Sequence, residues 1–103
     1  MRFGTIARYR VKPGHADKLK DEMGSFNENP PAGWLYHTVF RSTTNPDEIW
    51  MSVVFDSEES YRANADSPDM NRDYEKMMEH LDAEPEWHDG HVIDEQMREA
   101  AQQ

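Results

Sequence analysis

The chain reads as an α+β domain with the element order β-α-β-β-α-β, the ferredoxin-like split βαβ arrangement built on one antiparallel sheet. Three observations predict it. Alternating apolar residues mark four extended stretches, at 2–12, 34–41, 49–55 and 86–93. Apolar residues at steps of three and four mark helical stretches after the first and the third of these. Turn chemistry stands at the junctions: Pro13-Gly14, the Asn27–Gly33 loop with its two prolines, Ser42–Asp47, and Glu84-Pro85.

Taken in order, Arg2–Lys12 puts Phe3, Thr5, Ala7, Tyr9 and Val11 on one strand face, with Gly4, Ile6, Arg8 and Arg10 on the other. A helix is expected from His15 to about Phe26, with Ala16, Leu19, Met23 and Phe26 as its narrow apolar stripe. A hairpin follows. Strict alternation groups Trp34, Tyr36, Thr38 and Phe40 against Leu35, His37, Val39 and Arg41. The second hairpin strand groups Ile49, Met51, Val53 and Phe55 against Trp50, Ser52 and Val54. Both faces of the hairpin are largely apolar, so the sheet should be covered on both sides, by the chain's own helices and by a second subunit.

Asp56 or Ser57 caps the next helix, which should run to about Ala65. Ser67 caps a restart with Pro68 at the first helical position. Met70, Tyr74, Met77, Met78 and Leu81 then form the clearest helical stripe, expected to pack the core. A short strand from Glu86 to Ile93 ends the domain. Residues 1–94 read as one domain, and 95–103 as a polar tail, frayed or helical.

Composition limits the chemistry. A chain of 103 residues, 36% of them apolar, has a small core that pairing with a second copy would enlarge. Eleven Lys and Arg against 21 Asp and Glu leave a net charge of -10, which opposes binding to nucleic acid or anionic membranes. The absence of cysteine excludes disulfides, thiolate catalysis and Cys-ligated metals. No apolar run is long enough to span a membrane, and a cytoplasmic protein is expected. No phosphate-cradling glycine motif and no G-x-S-x-G occurs, so nucleotide and hydrolase readings have no support.

Several residues are candidates for a site. His37, flanked on its own face by Leu35 and Val39, reads either as a general base or as a hydrogen-bonded histidine in a sheet. Trp34, Tyr36, Trp50, Phe55 and Trp87 could wall a pocket for a flat ligand or simply pack a core. Strict alternation places His37 and Trp50 opposite Trp34 and Tyr36, so only one set can line the site. Arg8, with Arg10, either binds an anionic group or pairs with the many acids. His88, Asp89 and His91 are poorly disposed for a metal, because His88 points away from the other two; no metal is expected.

Two runs, IARYRVKPG from Ile6 to Gly14 and VVFDSEESYRANADSP from Val53 to Pro68, resemble the antibiotic biosynthesis monooxygenase family of the dimeric α+β barrel superfamily. The likeness spans about residues 2–93. It implies that two subunits pack sheet against sheet into a barrel. The family includes cofactor-independent oxygenases of quinols and polycyclic phenols, and haem-degrading relatives. Asn64 stands where members similar to the quinol oxygenases carry a histidine. No asparagine precedes Asn27, and the second helix has no histidine before His80, unlike the haem-degrading relatives. The resemblance therefore implies a monooxygenase of a small aromatic, without a cofactor. His37 would be the base, Tyr36 and Asn64 the substrate hydrogen bonds, and Trp34, Trp50 and Trp87 the walls. The alternative is a non-enzymatic dimer that binds a small hydrophobic molecule or another protein; haem binding ranks below both.

Overall fold

In the computed structural model, residues 1–23 and 28–98 are described. The elements are β1 (Phe3–Arg10), α1 (Ala16–Met23), β2 (Trp34–Arg41), β3 (Glu48–Phe55), α2 (Glu58–Ala65), α3 (Pro68–Met78) and β4 (Glu86–His91). The strands form one antiparallel sheet in the order β2-β3-β1-β4, which is the ferredoxin-like order. Phe26, expected to end the stripe of the first helix, and tail residues 99–103 lie outside the described residues. No helix among the described residues is long and apolar enough to cross a membrane.

The register arranges the side chains in rows across the sheet. On the face that carries the helices, the rows are Trp34–Phe55–Phe3–His91, His37–Val53–Thr5–Asp89 and Val39–Met51–Ala7–Trp87, with Ile49 beside Tyr9 in a fourth. The opposite face carries Tyr36–Val54–Gly4–Gly90, Thr38–Ser52–Ile6–His88 and Phe40–Trp50–Arg8–Glu86.

One irregularity alters the expected grouping of the hairpin. The register shifts between Trp34 and Tyr36, so that Trp34 opposes Phe55 while Tyr36 opposes Val54. Leu35 is the extra residue of a β-bulge, and a bulge reverses the alternation on either side of it. Trp34 therefore shares the helical face with His37, against the strict alternation, and their rings lie 5.5 Å apart.

The core lies between this face and the helices. Ala7, Tyr9, Val11, Ile49, Ala16, Leu19, Met77 and Leu81 form its buried cluster. Val11 leaves the sheet to bridge Leu81, and the Lys12 amide donates to the His80 carbonyl at 2.8 Å, tying the end of β1 to the end of α3. The side-chain oxygens of Ser57 and Ser67 accept from the amides of Ser60 and Met70, capping α2 and α3, and Pro68 occupies the first turn of α3. Gly33 has a φ of 84°, and a Cβ there would stand 2.5 Å from Ser60 Oγ and 2.7 Å from Asp56 Oδ1. Its carbonyl accepts from the Asp56 amide at 2.8 Å. Glycine thus lets the entry of β2 touch the start of α2.

The tail is neither helix nor strand over residues 92–98. It is nevertheless held. Val92 donates to the Arg2 carbonyl at 2.9 Å, and the Glu95 carboxylate accepts from Arg2 at 2.5 Å and from the Tyr36 hydroxyl.

Candidate functional site

A cavity of about 460 Å³ opens between the helical face of the sheet and the helices. Its floor is formed by Thr5, Tyr9, His37, Met51, Val53, Phe55, Trp87 and Asp89. α2 presents Tyr61, Asn64 and Ala65, one face of a helix at spacings of three and four. α3 presents Met70, Tyr74 and Met77, and α1 adds Glu22 and Met23. The stripe expected to pack the core thus also roofs the cavity. Its flexible methionines suit an apolar ligand of irregular outline.

The polar groups stand at opposite sides. His37 on β2 and Asp89 on β4 end one row of the floor, about 14 Å apart by three strand spacings. Burial lowers the His37 pKa, so the imidazole is neutral at pH 7. At the other end, the Tyr61 hydroxyl donates to Asp89 Oδ1 at 2.9 Å and Arg62 approaches Oδ2 at 3.4 Å. The Arg62 guanidinium also lies 5.4 Å from the centre of the Phe3 ring, within cation–π range. Burial, then the bond to Asp89, pushes the Tyr61 pKa up to about 12, so this phenol keeps its proton. Asn64 rests its amide nitrogen 3.7 Å from Met70 Sδ, a weak acceptor that leaves the group available to a ligand.

The structure brings together four of the residues weighed from the sequence as catalytic or pocket groups: His37, Asn64, Phe55 and Trp87 all line the cavity. Trp34 stacks beside His37 without lining it. Tyr36, Trp50 and Arg8 point from the opposite face of the sheet, so the cavity cannot use them. Tyr36 is bound to Glu95, and Trp50 donates its indole N–H to Glu48 at 2.8 Å. Arg8 bridges Glu48 at 2.9 Å and Glu86 at 3.1 Å, and its hydrogen bond holds the Glu48 carboxyl below its ordinary pKa. That is the ion pairing weighed against anion binding in the sequence.

Tyr9 and Tyr61, absent from the sequence candidates, also line the cavity, as does Asp89, which the sequence offers only as a poorly disposed metal ligand. Tyr61 stands three positions before Asn64 on one helix, and that spacing was the available signal. Asp89 and His91 do share a face, but Asp89 is engaged by Tyr61 and Arg62, while His91 meets the Phe3 ring edge-on at 5.0 Å. Among the described residues, no group of three or more His, Cys, Asp and Glu side chains is placed to hold a metal ion.

Solved structures share this architecture. A protein from Chloroflexus aurantiacus assigned as an antibiotic biosynthesis monooxygenase superposes with a TM-score of 0.79 at 25% identity, over 94% of this chain and 98% of that one. A conserved protein from Methanosarcina mazei gives 0.78 at 20% identity, over 88% and 92% of the two chains. SnoaB, a cofactor-independent oxygenase from Streptomyces nogalater, gives 0.78 at 11% identity, over 91% and 95%. At the last two identities the likeness shows the fold alone. No curated protein sequence matches the chain. The sequence profile of the antibiotic biosynthesis monooxygenases matches residues 2–76, nearly three quarters of the molecule and everything from β1 into α3. The chain belongs to the antibiotic biosynthesis monooxygenase family.

Proposed function

We propose that the protein is a cofactor-independent monooxygenase of a small phenol or quinol, with His37 as general base. The observation that carries the reading is the His37 imidazole set into the floor of a largely apolar cavity that also holds the Asn64 amide, where burial lowers its pKa and favours the neutral form. Family membership and the SnoaB fold support it.

In this reading the flat substrate lies between the methionine roof and the sheet, and Asn64 hydrogen-bonds its oxygen. His37 takes the phenolic proton. The phenolate passes one electron to dioxygen, and the resulting phenoxyl radical and superoxide combine at a ring carbon that carries hydrogen. The peroxide then loses that hydrogen and its outer oxygen as water, with His37 returning the proton. One phenol and one dioxygen give one quinone and one water, so dioxygen is reduced by the substrate itself.

A second copy of the chain completes the assembly in this reading. The sheet face away from the helices exposes Ile6, Phe40 and Trp50, which are 61%, 54% and 39% accessible. Large adjacent apolar groups on a sheet face mark an interaction surface.

Oxygen uptake with a panel of hydroquinones and naphthols tests the activity. Uptake by the native protein, falling at least a hundredfold in His37→Ala, is expected. No uptake with any substrate of the panel, or equal turnover in the variant, removes the reading. The competing view, a non-enzymatic binder, predicts binding of the same compounds without uptake.

A further inference from the structure

We propose that the Tyr9 hydroxyl anchors the ligand of the cavity, and that the ligand it selects is an uncharged aromatic bearing a neutral oxygen acceptor. The inference rests on the cavity being the substrate site, and it adds a residue and a ligand class to that reading.

Tyr9 lies on the central strand β1, lines the cavity and is fully buried, with 0% of its surface accessible. Its hydroxyl has no hydrogen-bond partner among the described residues. Buried hydroxyls are nearly always paired, and an unmet donor weakens the fold that contains it. An acceptor supplied by a ligand resolves the deficit. Burial, with Tyr61 and Tyr74 adding to it, raises the Tyr9 pKa, so the group stays a donor at any physiological pH.

The charges of the lining select against an anion. Glu22, Asp73 and Asp89 face the space, against the single guanidinium of Arg62. That guanidinium is already engaged by Asp89 and by Glu58. The net charge of -10 acts in the same direction. A carbonyl, ether or hydroxyl oxygen is therefore the acceptor the site takes, rather than a carboxylate or phosphate.

Trp87 stands beside Tyr9 in the cavity wall. Its indole meets the Tyr9 ring edge-on at 5.9 Å and 89°, and lies 6.5 Å from Tyr74. It sits on edge strand β4 and is 41% exposed.

Calorimetric titration of the full chain with 1,4-naphthoquinone, naphthalene and 2-naphthoate tests the proposal, alongside thermal unfolding without ligand. The native protein should bind the quinone about tenfold tighter than either of the others. Tyr9→Phe should bind quinone and naphthalene equally, and should unfold at the same or a higher temperature, because it removes an unpaired hydroxyl. Unchanged quinone affinity in Tyr9→Phe, or no preference for the quinone in the native protein, overturns the proposal. A lower unfolding temperature in Tyr9→Phe overturns it as well, since the hydroxyl would then have a structural partner. The quinone is not a substrate for oxygenation. Selectivity that persists without any oxygen uptake from hydroquinones therefore leaves the Tyr9 site standing while the oxygenase reading falls.

Discussion

His37 acquires its properties from burial. The imidazole stands between Trp34 and the cavity, and the apolar floor disfavours its charged form. A base of this kind works only when neutral. The acid limb of kcat/KM is therefore expected below the ordinary histidine value of about 6.5. Activity should be on its plateau at pH 7 and fall as pH drops through the lowered pKa. A pH profile measured with the best hydroquinone checks this, and His37→Gln should remove the limb together with most of the turnover. A limb above 6.5 would show that the protonation seen belongs to another group. The same shift enters stability with a definite sign. The unfolded chain binds the proton more readily, so this contribution is complete above about pH 6.5 and fades on acidification. Gly33 shows the opposite kind of residue, one chosen for what it lacks. Gly33→Ala forces a side chain into the positive-φ region and onto Ser60, at a cost of about 1–3 kcal/mol that urea unfolding will read.

At the scale of elements, the roof of the cavity depends on two short helices whose order is set by their caps. α2 has no fully buried residue, and α3 buries only Met77. Packing alone holds them weakly, and end effects weigh more than they would in a long helix. Ser67→Ala removes the acceptor for the Met70 amide and should cost about 1 kcal/mol, lowering the melting temperature by roughly 4–8 °C in a domain of this size. Because Met70 and Tyr74 follow directly on this cap, ligand affinity should fall with it. Calorimetry of the variant measures both effects. Leu19, fully buried on α1, gives the comparison: Leu19→Ala should cost about 2–5 kcal/mol through the void it leaves.

At the scale of the molecule, the two faces of the sheet have separate tasks. The helical face is closed by the chain's own core and cavity. The other face holds the Arg8–Glu48–Glu86 bridge beside the exposed Ile6, Phe40 and Trp50. If a second copy covers that face, sedimentation at micromolar concentration will show a dimer, and Ile6→Asp will shift it to monomer while leaving the helical core intact. A native protein that sediments as a monomer would remove the barrel.

The amino-acid pattern alone carried the element order, the Ser-Pro restart at Ser67 and the stripe from Met70 to Leu81. These are consequences of local periodicity and capping, which depend on neighbours within a few positions. Tertiary structure decided which side of the hairpin meets the cavity. Strict alternation separated His37 from Trp34, yet the bulge at Leu35 puts them on one face. A bulge depends on how β2 pairs with β3, and the run WLYH carries no glycine to announce it. The same applies to Tyr9 and Asp89, which come from strands far apart in the chain and face one cavity only once β1 and β4 are paired. Trp50 and Tyr36 were candidates by composition, and pairing placed them outside. Local chemistry determined what each segment becomes, while the site depends on contacts between distant segments, which no single stretch of sequence encodes.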